Sequence, residues 1–234
     1  PGPPPVTVSV RSSVEHRRLL VGTRRCGGSF VFYLTSGSLP DEANKWLWYV
    51  VAYVDHQCHA LRDAWLDEFH IPEADINGTT GAVSTTVFLG SDGNPRLWIW
   101  SHLGTQAQTA DTNLTSTFTG GAQWNQWETT DRMRGVCYRI FKLQRDDVAF
   151  PTGAPDSASS LIDGALLYDP RKDSTNGGSG SHRKDTPSTW EFSRNWALGI
   201  RWLLTGGSVV NDQATRLVRY GLREDDARID EAYW

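Results

Sequence analysis

His56, Cys58 and His59 stand within four positions of one another in DHQCHA, and imidazole and thiolate are the side chains that hold zinc. A structural zinc site also needs a second ligand cluster at finger-like spacing, and this segment has none. The spacing therefore predicts a turn between strands, with Cys58 as a packing residue and no metal ligand. Glu128 and Asp131, beside Trp124 and Trp127, are the one arrangement that resembles the paired carboxylates and aromatic platforms of a glycosidase. In a Thr-rich connector, acidic residues this close read as solvated loop charges. Ser181 and His182 are adjacent in GGSGSHRKD, a linker composition. The chain has no G-x-S-x-G nucleophile elbow and no phosphate-binding glycine loop. No catalytic residue and no cofactor is predicted. Asn77-Gly78-Thr79 and Asn113-Leu114-Thr115 match the glycosylation sequon and read as turns.

The chain carries 11 Trp, a residue that anchors interfaces and stacks on sugars. Trp46, Trp48, Trp98 and Trp100 have apolar strand neighbours, and Trp196 and Trp202 share a helix that must dock. These six are assigned to core or subunit interface. Trp124, Trp127 and Trp190 fall in loops and are the candidate interface residues.

Composition bounds what can position such groups. With 234 residues and a hydrophobic fraction of 38%, the chain can bury the core of one large domain or two small ones. A formal net charge of −4 gives no basic field for neutralising phosphates, which argues against nucleic acid as a direct partner. Arg17-Arg18 and Arg24-Arg25 read as charged strand edges. Cys26, Cys58 and Cys137 are odd in number and widely spaced, so reduced, mostly buried thiols are expected. The start, PGPPPV, reads as a stiff polyproline lead-in rather than a signal peptide. The longest apolar run, Trp46 to Val54, is nine residues, against roughly 20 for a membrane-spanning helix. It fits a strand covered on both faces.

The expected architecture is α+β, predominantly β, with mixed sheet or barrel-like domains and two short helices near the C-terminus. Val6 to Val10 alternates as a strand, and Gly27-Gly28 predicts a hairpin between Arg18–Gly22 and Ser29–Thr35. Val83–Leu89 and Arg96–Trp100, joined by Ser91-Asp92-Gly93-Asn94-Pro95, predict a second hairpin. Arg134–Leu143 is apolar on both alternating sets and belongs near the centre of a sheet. Ser193 or Asn195 caps a first helix that Gly206-Gly207 ends, and a second runs from Asn211 or Asp212 to Tyr220. Four regions follow: a Pro-rich lead-in and hairpin at 1–40, a β-rich domain at 41–171, a flexible Gly/Ser loop at 172–189, and a helical segment at 190–234. Ile229 to Trp234 looks like a helix being entered from an Asp cap, the pattern of a chain that continues in a larger protein, although Pro1 also fits a natural start after loss of an initiator Met.

Several segments resemble the tail-tip hub proteins of long-tailed bacteriophages. Arg134-Gly135 opens an aromatic strand, Phe150-Pro151 is followed by Gly153 and Pro155, and Tyr168-Asp169-Pro170-Arg171 closes the block. Val8 to Gly37, Asn44 to Pro72, Ser101 to Asp111 with its His-Leu-Gly-Thr, and Trp190 to Thr205 are similar to further family segments in the same order. The chain departs from the family at APDSASSLIDG and in the long Gly/Ser loop. The resemblance implies a non-enzymatic virion protein of the baseplate hub, assembled in the host cytoplasm. It implies a homotrimer that contacts distal tail, tail-tube and tape-measure proteins on one side and a central fibre or receptor-binding protein on the other. Such a plug opens for DNA ejection. The alternative from a different class is a carbohydrate-binding module on a phage or bacterial surface.

Overall fold

The computed structural model describes residues 18–37, 44–120 and 126–205, and the backbone of two further strands at 207–210 and 217–220. The readings made for Val6–Val10, Arg17, Trp124 and Ile229–Trp234 lie outside these residues. In chain order the elements are β1 (Thr23–Gly27), β2 (Ser29–Ser36), β3 (Trp46–Val54), β4 (Ala60–Leu66), β5 (Phe69–Ile71), β6 (Leu97–His102), α1 (Thr112–Phe118) and β7 (Cys137–Gln144). They continue with β8 (Ala158–Asp163), β9 (Leu166–Leu167), β10 (Glu191–Phe192), α2 (Trp196–Thr205), β11 (Gly207–Val210) and β12 (Leu217–Tyr220).

The apolar run from Trp46 becomes β3 with the expected limits, and β7 pairs with it antiparallel along its whole length. These two are the inner strands of a four-stranded sheet, β2-β3-β7-β6. Alternation sends Tyr49, Val51 and Tyr53 to one face, where they meet Leu61, Ala64, Leu66 and Ile162 of a second sheet, β1-β8-β4-β5. Trp48, Val50, Tyr138 and Ile140 face the other way and are covered by Leu114 and Phe118 of α1 and by Trp127. Both faces of the central strands are therefore buried, which explains their near-continuous apolar sequence. Among the described residues the fold is predominantly β with two α-helices, and its two main sheets are open rather than closed into a barrel. No helix among the described residues is long and apolar enough to cross a membrane.

Gly27-Gly28 does not make a hairpin. β1 pairs with β8 and β2 pairs with β3, so the chain changes sheets at Gly28. A Cβ built there would lie 2.2 Å from Val51 Cγ1, so only glycine lets the backbone pass this close to the core as it turns the corner between sheets. The second expected hairpin is reduced to its downstream strand. Leu97–His102 is β6, but Val83–Leu89 makes isolated bridges and a 3₁₀ turn over Thr86–Phe88. The helix expected to run to Tyr220 is also corrected, because Leu217–Tyr220 is β12, antiparallel to β11. Instead the second α-helix is α1, in mid-chain, and it contains Asn113, which is thus not in a turn. Asp111 caps α1 by accepting from the Asn113 and Leu114 amides.

The two sheets are pinned by Arg139, a β7 side chain only 1% exposed. Its guanidinium donates to Ser101 Oγ at 3.0 Å, Ser160 Oγ at 2.9 Å, the Asp63 carbonyl at 3.3 Å and the Arg62 carbonyl. Those carbonyls are available because the β4–β8 register shifts between Leu61 and Ala64, and a bulge leaves its residues unpaired in the ladder. The same bulge sends the Arg62 side chain to Asp163, at 2.9 Å, and Asp63 to His70, at 2.8 Å. Burial lowers the Arg139 pKa, yet a guanidinium stays charged at neutral pH, so this charge is held by carbonyl and hydroxyl dipoles.

Candidate functional site: an apolar ridge on the last helix

Helix α2 starts where Asn195 Oδ1 accepts from the Ala197 amide at 3.0 Å, the cap expected from the sequence. Its inward face carries Leu198, Gly199, Arg201 and Trp202, all buried. A Cβ on Gly199 would lie 2.7 Å from Val21 Cγ1, so the glycine brings the helix close against the segment leading to β1. Trp202 meets the His56 ring edge to face at 5.7 Å, and the Arg201 guanidinium lies 4.8 Å over the Tyr168 ring. The outward face is also apolar. Trp196 is 75% exposed, Ile200 40% and Leu203 41%, and their i, i+4, i+7 spacing places them in one stripe. A helix apolar on two opposite sides normally packs on both, and no described residue covers the second side.

The loop tryptophans singled out in the sequence are placed differently. Trp127 is buried inside the chain's own core, with its ring edge to face with Phe32 at 5.3 Å. Trp190 is half-buried, packs 6.1 Å from Tyr168 and donates through Nε1 to the Arg183 carbonyl at 2.9 Å. Trp196, assigned from the sequence to core or subunit interface, is exposed and so lies outside the chain's own core. Its i, i+4 pairing with Ile200 was visible in the sequence, but the second apolar face carrying Leu198 and Trp202 hid which side would dock.

The other aromatic concentration lies on the α1 side of the first sheet, beyond the reach of the helix. Lys142 Nζ lies 4.0 Å from the Trp46 ring, 5.0 Å from Trp48 and 5.5 Å from Trp98, and half-burial lowers its pKa. The half-buried rings, Trp46 and Trp98, meet at 71°. They do not form a flat platform.

His56, Cys58, His59, Asp131 and His182 take part in holding the fold. His56 is buried, with Nε2 accepting from the Leu20 amide at 2.9 Å and Nδ1 paired with the Gln57 carbonyl at 2.8 Å. Burial depresses its pKa, and neither nitrogen is left for a metal. Cys58 is buried beneath it and His59 stacks on Phe192 at 5.1 Å. All three cysteines are free thiols, and burial raises the pKa of Cys26 and Cys58. Asp131 accepts from the Glu128 amide at 2.7 Å, which closes a turn and does not aim two carboxylates at one point. His182 is buried with Nδ1 accepting from the Asp169 amide at 3.1 Å, whereas Ser181 is exposed.

The segments that carry the family resemblance meet in space. The Gly135 amide donates to the Gly104 carbonyl at 3.0 Å, and Gln108 bonds the Gly104 amide and the Arg132 and Met133 carbonyls. His-Leu-Gly-Thr and Arg134-Gly135 thus form one knot, closed by His102 on Asp111 at 2.9 Å. Tyr168-Asp169-Pro170-Arg171 forms another with the Gly/Ser loop. Arg171 grips Asp169 with two nitrogens, at 2.9 and 2.7 Å, and Tyr168 donates to Asp173 at 2.8 Å. Thr175 donates to the same Asp173, and the hydrogen bonds hold that carboxyl down at about 2. A Cβ on Gly178 would lie 2.5 Å from the Pro170 and Arg171 carbonyl oxygens, so the segment expected as a flexible loop is packed on this turn by its glycines.

A scan against protein-family models gives no match, and a search of curated proteins finds none that matches this chain.

Proposed function

We propose that the chain is a structural subunit of a phage tail tip, a baseplate hub component rather than an enzyme. The observation that carries the reading is the two-sided apolar α2, whose outer ridge of Trp196, Ile200 and Leu203 calls for a protein partner. The proximity of His-Leu-Gly-Thr to Arg134-Gly135 adds support, because segments chosen for resemblance form one packed unit. In the particle three copies would surround the passage for DNA, with tail-tube, distal-tail and tape-measure proteins on one side. A fibre or receptor-binding protein would lie on the other. Receptor engagement would shift the packing of the plug from shut to open, which requires two discrete arrangements of its interfaces.

Quantitative mass spectrometry of purified particles tests the reading. The expected result is this chain at about three copies per particle, and its absence from particles would contradict it. The alternative, a carbohydrate-binding module, draws on the half-buried Trp46 and Trp98 around Lys142. Their angle of 71° favours the hub reading over flat stacking on a sugar ring. Oligosaccharide binding by the monomer, abolished by Trp98→Ala, would reverse that preference.

A further inference from the structure

Asn77-Gly78 and Asn176-Gly177 are the two Asn-Gly pairs of the chain. Glycine carries no Cβ, so it leaves the nitrogen that follows asparagine unshielded, and as sequence the two pairs are equivalent. In the structure they differ. Asn77 is exposed, and its Oδ1 accepts from the Thr79 amide at 3.0 Å and the Thr80 amide at 2.9 Å. This Asx turn folds the carboxamide back over the Asn77–Gly78 peptide. We propose that Asn77 is a self-modifying site, at which the Gly78 backbone nitrogen attacks Asn77 Cγ, expels ammonia and converts the residue through a cyclic imide to aspartate and isoaspartate.

The Gly78 N–H has no hydrogen-bond partner among the described residues, so it gives up no bond when its proton passes to hydroxide. As the bond from this nitrogen to Cγ forms, negative charge develops on Oδ1, where the Thr79 and Thr80 amides already point. Backbone donors aimed at a developing oxyanion lower the barrier to its formation. Nδ2 then takes a proton from water and leaves as ammonia with the electrons of the Cγ–Nδ2 bond. Water opens the imide at Cγ to give aspartate, or at the Asn77 carbonyl carbon to give isoaspartate, in which the chain runs through Cβ and Cγ. Water is the only co-reactant and nothing is oxidised. At Asn176 no amide among the described residues donates to Oδ1, and the side chain is engaged with the Tyr168 hydroxyl. The Asn77 turn also has a structural task. The Asn77 amide donates to the Ala82 carbonyl at 2.9 Å and the Gly81 amide to the Asn77 carbonyl at 2.8 Å. The strap that follows covers the edge of β6, with the Val83 amide on the Leu97 carbonyl at 3.0 Å and the Ile99 amide on the Gly81 carbonyl at 2.7 Å. Isoaspartate adds a methylene to the backbone inside this turn, so conversion loosens the cover of an edge strand.

Peptide mass mapping of the 234-residue chain, aged in mildly alkaline buffer made with heavy-oxygen water, tests this. In the folded chain Asn77 is expected to convert roughly tenfold faster than Asn176, the advantage of aligned oxyanion donors. The product should carry heavy oxygen and include isoaspartate as well as aspartate. In urea, where the turn is gone, the two rates should converge. Gly78→Ala, whose methyl group would meet nothing within 4 Å, is expected to slow conversion at Asn77 with no loss of Tm. Equal rates at Asn77 and Asn176 in the folded chain would overturn the proposal, as would a difference that persists in urea. Aspartate without isoaspartate, or a Gly78→Ala variant that converts as fast as wild type, would exclude attack by the Gly78 nitrogen and overturn it equally.

Discussion

Arg139 shows how a charged residue becomes structural when its surroundings are built for it. Its hydrogen bonds to Ser101, Ser160 and two β4 carbonyls join both sheets. Arg139→Met would remove the donors and leave buried acceptors unpaired, a loss on the order of 1–3 kcal/mol. Urea unfolding checks this, and a loss below about 1 kcal/mol would show that the pin is dispensable. His56 gives a pH signature. Burial lowers its folded pKa, so below the unfolded value of about 6.5 the unfolded chain binds a proton that the fold refuses. Stability is fully present above that value and falls as pH drops below it, by at most about 1.4 kcal/mol per pH unit, until the folded value is passed. His56→Gln, which keeps an acceptor for the Leu20 amide, is expected to flatten this slope in denaturation measured from pH 7 to about 5. In the sequence His56, Cys58 and His59 suggested ligands only by proximity. Their reach toward Leu20, the core and Phe192 depends on contacts that no local spacing encodes.

At the scale of elements, legibility followed burial. β3 and β7 were readable because strands covered on both faces must be apolar throughout, and α2 was readable from its cap and periodicity. Gly27-Gly28 was misleading. A glycine pair marks a reversal and a sheet change equally well, and the difference lies in Val51 and Tyr53, more than twenty residues away. Gly28→Ala is expected to destabilise by about 1–3 kcal/mol through overpacking, with no change in any exposed surface. A neutral result in thermal unfolding would show that the corner has room. α1 was missed because TNLTSTF is rich in Thr and poor in strong helix formers. Its signal was the Asp111 cap with Leu114 and Phe118 four residues apart, a pattern too short to outweigh composition. The end of the chain reversed the same way, since Leu217–Tyr220 pairs with β11 as a strand.

The described residues of the molecule form a two-sheet body with an exposed apolar ridge on α2. The ridge could be located only once α2 had docked, because sequence periodicity gives two apolar faces and does not say which is inward. A groove lined in part by Leu47, Leu143 and Phe150 joins distant parts of the chain and had no sequence signal at all. The proposed tail-tip reading gives this body a place. Immunogold electron microscopy of intact and denatured virions, with antibody against this chain, tests that place most directly. The account predicts label confined to the distal end of the tail. Label elsewhere on the particle, or none even after denaturation, would contradict it.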